Sequence, residues 1–304
     1  MGFHPHSICK GQWAGPWPST ASGLADPGFW CMTDPMKHLV PTLIIVFMLS
    51  VAPASARTIC TIIADAASGE VLLEEGDCRS RVTPASTFKI ALSLIGYDTG
   101  FLTGITTPVL PYRQGYPDWG GRNWTQPTDP ARWMKHSVVW YSQQITAALG
   151  ADRIERYLAA FGYGNADFAG DPGRSNGLER AWISSSLKIA PAEQITFLRN
   201  LVNRTLPVAP DAIDRTMAVV ETAAVGDGWV IAGKTGAAYP RMADGSFDRA
   251  RGWGWFAGWA NKGNRTLVFA RLNQDEKREK GSAGIRNKKA FLKQWPQLAS
   301  SLRR

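Results

Sequence analysis

Hydrophobic and polar positions alternate with different periods along this chain. Residues 58–64 are Ile-rich and loosely alternating, 65–69 (Asp-Ala-Ala-Ser-Gly) are turn chemistry, and 71–73 return as a second apolar run. That is the pattern of a β-hairpin. The period then lengthens. Ile90, Ala91, Leu92 and Leu94 crowd a stretch running from Pro84 toward Gly96, which predicts a helix buried nearly all round. Thr83 is placed to cap it, and Pro84 suits its first position. Residues 103–129 are rich in Pro, Gly and Trp and read as loop. Residues 130–150 read as one helix with Trp133, Val138, Val139, Trp140, Ile145 and Leu149 as its apolar positions. Residues 152–161 read as another helix, closed by Gly162. A Gly-, Asp- and Asn-rich loop spans 166–181, and helices are predicted at 191–201 and 212–222. The period then shortens again, with strands at 229–232, 252–260 and 266–272. Gly263-Asn264 makes a tight hairpin between the last two. Residues 274–283 form a charged, solvated loop, and 284–302 a final amphipathic helix. No internal repeat is visible.

Strands, a helical insertion, more strands and a covering helix predict an α/β fold of the α+β type. Its core is a central antiparallel sheet, flanked by the terminal helix, with a largely helical second subdomain. The expected boundaries are a sheet lobe from 57–83 plus 223–304 and a helical lobe from 84–222, together one domain at 57–304.

Ahead of that domain, residues 36–56 have the layout of a secretory signal peptide. Lys37 and His38 form a short positive region, 43–51 are apolar apart from Ser50, and Ala54-Ser55-Ala56 is a small-residue cleavage site. The apolar run is short for a membrane span. A signal must be N-terminal, so Met36 is the expected start and 1–35 an upstream extension, leaving a mature protein that begins at Arg57 in the periplasm. Of the four Cys and four His in the 304 residues, only Cys60, Cys78 and His136 lie beyond the signal. That is too few for a His/Cys zinc site, and no metal is expected. Export makes a Cys60–Cys78 disulfide plausible, since the hairpin brings the two nearly opposite one another; two buried thiols are the alternative. The net charge of +9 is spread along the chain without a zinc-finger, RNP-like or basic-helix pattern. A positive field that draws in small anions is expected, rather than nucleic-acid binding. Most of the thirteen Trp belong in the core or a cleft.

The candidate chemistry begins at Ser86-x-x-Lys89. A hydroxyl and an amine one helical turn apart make a possible nucleophile and base. Burial of Lys89 would lower its pKa and leave a neutral amine able to act as a base or to react with carbon dioxide. The motif alone is weak, because Ser7/Lys10 and Ser185/Lys188 repeat it. What singles out Ser86 is the order that follows: Ser137-x-Val139, Tyr163-Gly164-Asn165 and Lys234-Thr235-Gly236.

That ordered set resembles the penicillin-recognising serine enzymes, and in detail the class D β-lactamases, the oxacillinases. Phe88 inside the first motif, Trp182 after the Gly-rich loop and Gly252-Trp253-Gly254-Trp255-Phe256 are further similarities, and the resemblance covers nearly all of 57–304. It implies a β-lactamase/transpeptidase-like fold and hydrolysis of β-lactams through a serine acyl-enzyme. Ser86 would attack, and the oxyanion would sit between the N–H groups of Ser86 and Ala237. Ser137 would relay a proton to the leaving nitrogen. Lys234, Thr235 and Gly236, assisted by Arg286, would bind the substrate carboxylate, with Arg251 and Arg271 as rivals to Arg286. Tyr163 and Asn165 would act directly or shape the cleft. The resemblance also implies that Lys89 is N-carboxylated, that Trp182 donates its indole N–H to the carbamate, and that Val139 and Ile183 shield it. No cofactor beyond carbon dioxide or bicarbonate is implied, and the partners are small β-lactams, with monomer and homodimer both open. A transpeptidase or a β-lactam sensor domain acylated without turnover would share these motifs. A single cleavable apolar stretch ahead of 57–304 favours the free hydrolase.

Overall fold

The computed structural model describes residues 56–302. The expected extension at 1–35, and all but the last residue of the signal expected at 36–56, lie outside the described residues. Within them, six antiparallel strands form one sheet in the order β2-β1-β6-β5-β4-β3. The strands are β1 (Arg57–Asp65), β2 (Val71–Gly76), β3 (Thr222–Val225), β4 (Trp229–Ala238), β5 (Trp253–Lys262) and β6 (Arg265–Gln274). The helices are α1 (Lys89–Asp98), α2 (Pro130–His136), α3 (Val139–Leu149), α4 (Ala151–Phe161), α5 (Gly177–Arg180), α6 (Pro191–Val202), α7 (Pro210–Val219) and α8 (Ala283–Ser301). None of them is long and apolar enough to cross a membrane among the described residues.

Side-chain alternation in the strands separates two cores. On one face Phe256, Leu267 and Phe269 meet Phe291 and Trp295 of α8. On the other, Trp255, Ala257, Val268 and Ala270 join the helical side, where α1 is buried along its length. The hairpin turn between β5 and β6 is Gly263-Asn264 as expected, with Gly263 at φ 55° in the left-handed region. Cys60 and Cys78 are joined by a disulfide that ties the start of β1 to the chain just beyond β2.

Five local expectations change. The helix expected from Pro84 begins instead as a 3-10 turn, Ala85–Phe88, with α1 starting at Lys89. Thr83 does not cap it. Its buried hydroxyl donates to the Trp182 carbonyl at 2.8 Å and accepts from the Ser184 N–H at 3.0 Å. The single helix expected over 130–150 breaks at Ser137, which adopts a left-handed φ of 59° between α2 and α3. The strand expected to stop at Ala232 runs on to Ala238, and residues 222–225, read partly as helix, form the short edge strand β3.

Candidate active site

Ser86 is placed by its turn, and the turn is fastened on three sides. Thr87 Oγ1 donates to the Pro84 carbonyl at 2.7 Å and accepts from Gln194 Nε2 at 2.8 Å. Trp255 Nε1 donates to the Thr83 carbonyl at 2.9 Å. Phe88 sits in a cage of rings, 6.0 Å from Tyr163, 5.7 Å from Phe168 and 5.5 Å from Trp182. Ala85, at φ 50°, bends the chain immediately before the serine. Ser86 itself stays half-buried while Ala85, Thr87 and Phe88 are buried.

The Lys-Thr-Gly strand lies directly against this turn. A Cβ added at Gly236 would come 2.8 Å from the Pro84 oxygen and 3.2 Å from the Ser86 nitrogen. Glycine is needed there for close approach. β3 pairs with β4 only as far as Ala232, and the Gly233 N–H then donates to the Glu221 carbonyl at 3.2 Å. In an antiparallel ladder the N–H direction repeats every second residue. The Ala237 N–H therefore points to the side that β3 has vacated, away from β5. From behind, the first turn of α8 presses on the same strand: a Cβ on Gly284 would come 2.4 Å from the Gly236 oxygen.

Lys89 is fully buried. Its Nζ lies 2.5 Å from Ser142 Oγ and 3.3 Å from the Val138 carbonyl, the middle residue of Ser137-Val138-Val139. Burial, with a smaller contribution from the Lys234 charge, pushes its pKa well below the usual lysine range. Lys234 is also buried. Burial and the Lys288 charge lower its pKa and Glu221 opposes them, leaving it at about 8. Trp182 is buried, stacked on Phe168 at 5.9 Å, and its Nε1 has no hydrogen-bond partner among the described residues.

Three residues expected to meet the substrate or shape its cleft have protein partners in this structure. Tyr163 is fully buried behind Phe88 and against Phe197, so it supports the serine turn and cannot meet a substrate. Asn165 is engaged at both ends of its amide, donating to the Ser186 carbonyl at 2.9 Å and accepting from the Lys188 N–H at 2.8 Å. Gly164, at φ 60°, leaves no room for a Cβ beside the Lys188 oxygen. Tyr163-Gly164-Asn165 is thus a clasp on residues 186–188. Arg286 does not offer a free guanidinium: it grips Asp275 with contacts of 2.7 and 2.6 Å and donates to the carbonyls of Lys280 and Gly281. Its rival Arg271 donates to Gln294 and Thr58. Ser185 of the decoy motif donates to Asp171 at 2.7 Å.

Sequence reasoning missed Ser142 and Trp133. Trp133 Nε1 donates to Ser142 Oγ at 2.9 Å. The available signal was a hydroxyl four residues after Val138 and three before Ile145, on the face of α3 that also carries Thr146. A second polar cluster lines a groove whose walls include neither Ser86, Lys89, Ser137 nor Lys234. Asp171 pairs with Arg241 at 3.0 Å and Arg180 at 3.7 Å, and Phe247 lies against both guanidiniums. These residues, with Thr83, Asn165 and Tyr239, line that groove, of about 1200 Å³.

No cluster of His, Cys, Asp or Glu able to hold a metal occurs among the described residues. The family model of the penicillin binding protein transpeptidase domain matches residues 59–295. Beta-lactamase OXA-9 of Klebsiella pneumoniae is 39% identical over 271 residues, covering 86% of this chain and 98% of that protein. Beta-lactamase OXA-1 of Escherichia coli is 37% identical, covering 69% of this chain and 74% of that one. The crystal structure of the class D β-lactamase OXA-427 superposes with a TM-score of 0.74 at 44% identity, covering 80% of this chain and 99% of that one.

Proposed function

The chain belongs to the class D β-lactamases, within the penicillin-binding transpeptidase fold, and from that premise we propose that it hydrolyses penicillins and oxacillin-type antibiotics through an acyl-enzyme on Ser86. The observation that carries this reading is a wholly buried Lys89, its charge disfavoured, one turn from a half-buried serine that abuts the Lys-Thr-Gly strand.

A β-lactam is a strained amide, and opening it takes a nucleophile, a base and donors for the developing oxyanion. Ser86 Oγ attacks the ring carbonyl as Lys89 takes the hydroxyl proton. The carbonyl oxygen gains charge between the N–H groups of Ser86 and Ala237, where each donor is worth ~3 kcal/mol in the transition state. Collapse breaks the carbon–nitrogen bond, and Ser137 relays the proton held on Lys89 to the leaving nitrogen, which returns Lys89 to its free-base form. Ser137 sits half-buried at the α2–α3 break with a left-handed backbone. Lys234 and Thr235 hold the substrate carboxylate. Water then attacks the ester, with Lys89 again as the base.

Burial also favours the free-amine form of Lys89, the form that carbon dioxide requires. When bound there as a carbamate, carbon dioxide would supply a carboxylate oxygen as the base. Trp182 Nε1, a buried donor with no acceptor, fits that group, and Val139 and Ile183 would keep bulk water from it. The protein would act in the periplasm after export and protect the cell from the drugs it opens.

The test is hydrolysis of a chromogenic cephalosporin and of oxacillin by the purified protein, with and without bicarbonate and across pH. Sustained turnover that falls at low pH and recovers with bicarbonate supports the proposal. A single stoichiometric burst, with the drug left on the protein, means a sensor or a transpeptidase instead.

A further inference from the structure

Two buried groups meet Lys89 that none of the four motifs contains. Ser142 Oγ lies 2.5 Å from Nζ and also accepts the indole N–H of Trp133 at 2.9 Å. Lys89, Ser142 and Trp133 are all fully buried, and Nζ is 5.6 Å from the Trp133 ring centre. An indole N–H can only donate, so Trp133 fixes one lone pair of the Ser142 oxygen. One O–H and one lone pair remain, and both are within reach of Nζ. A hydroxyl held in this way can donate to a neutral amine and accept from an ammonium or from any N–H that remains on the nitrogen. Val138 and Ile145 are buried beside Ser142; the other buried hydroxyl on this face, that of Thr146, donates to the Gln143 and Leu178 carbonyls, so Ser142 is the one that meets Lys89.

We propose that Ser142, backed by Trp133, is the positioning residue for the Lys89 nitrogen and holds it in place through every state of the reaction. This rests on the reading of Lys89 as the base. Val138 supplies the second contact through its carbonyl, and Lys234 is the charged side chain that acts on the amine from the sheet side. The arrangement also assigns Trp133 and Trp182 different jobs. The Trp133 N–H is committed to Ser142, while the Trp182 N–H is uncommitted.

The experiment compares Ser142→Ala, Ser142→Thr and Trp133→Phe in the purified protein, each checked for folding by thermal denaturation. The first readout is the carbon-13 NMR signal of a lysine carbamate during titration with labelled bicarbonate. Losing one buried hydrogen bond should raise the half-saturating bicarbonate about tenfold in Ser142→Ala and roughly threefold in Trp133→Phe. Ser142→Thr, which keeps the hydroxyl, should stay within about twofold of wild type. A folded Ser142→Ala protein with unchanged half-saturation overturns the proposal. If Ser142→Ala does not fold, Trp133→Phe carries the same comparison. If the wild type takes up no label at all, the carboxylation reading fails and the positioning role is decided by a second readout. That readout is the rate of Ser86 acylation by penicillin in buffer freed of carbon dioxide. It should drop about tenfold in Ser142→Ala with the non-covalent affinity unchanged, and an unchanged acylation rate overturns the proposal.

Discussion

Gly236→Ala should separate the two elements that share the oxyanion. The new Cβ would meet the Pro84 oxygen at 2.8 Å and the nitrogens of Ser86 and Thr87 at 3.2 Å. Ordinary carbon contacts begin several tenths of an ångström further out, and the neighbours are all backbone, so no side chain can swing away. Nor can the strand retreat, because the first turn of α8 already rests on the Gly236 carbonyl through Gly284. The serine turn is held by Trp255, Gln194 and the ring cage around Phe88. Overpacking of this kind costs about 1–3 kcal/mol in stability. The larger effect is on catalysis. The Ser86 N–H belongs to one displaced element and the Ala237 N–H to the other, so the pair of donors no longer converges. Loss of one such donor lowers kcat by about 10²–10³. Steady-state kinetics on a chromogenic cephalosporin, with calorimetry on the same sample, separates the two effects. The prediction is a modest fall in Tm with a fall in kcat of at least two orders of magnitude. A folded variant with kcat within a few-fold of wild type would refute the placement of the oxyanion site between this turn and this strand.

Lys234 gives a prediction in pH. Its pKa is lowered to about 8, so its charge is present below that pH and lost above it. KM for a carboxylate-bearing β-lactam should rise about tenfold between pH 7 and pH 9 and stay flat in Lys234→Arg, since arginine keeps its charge. A pH-independent wild-type KM over that range contradicts the assignment. Thr83→Val removes a hydroxyl that satisfies both the Trp182 carbonyl and the Ser184 N–H, and should cost about 2 kcal/mol or more by urea denaturation. Trp182→Phe keeps the ring packing on Phe168 and Phe88 but removes the free N–H. Bicarbonate dependence of turnover should become steeper with little change in Tm. Replacing Cys60 and Cys78 by Ser opens a link across 18 residues and should lower stability by about 3 kcal/mol, read as a shift in urea midpoint.

The elements with strong local signals were legible in the sequence. The β1–β2 hairpin, the Gly263-Asn264 turn and α8 all lie where period and turn chemistry put them. Ser86, Lys89 and the Lys-Thr-Gly strand could be picked out because their order along the chain excluded the decoys. What was not legible depends on distant partners. β1 pairs with β6 some two hundred residues away in sequence, and no local pattern announces it. Strand β4 outruns its apolar alternation because β5 pairs with it as far as Ala238. The break at Ser137 falls where His-Ser-Val-Val-Trp favour a helix only weakly, although the apolar spacing runs on across it. Tyr163 and Arg286 were placed at the substrate because the ordered motifs resemble those of the class D β-lactamases. The burial of Tyr163 behind Phe88 rests on a contact distant in sequence, and the pairing of Arg286 with Asp275 on one 11 residues away; neither is announced by a local pattern.

The central claim is that Ser86 carries the acyl group and gives it up. Rapid-quench mass spectrometry during turnover of a penicillin tests it most directly. The account predicts an adduct on the peptide containing Ser86 that forms and decays at a rate no slower than kcat. An adduct on another residue, or one on Ser86 that persists while no product appears, would contradict it.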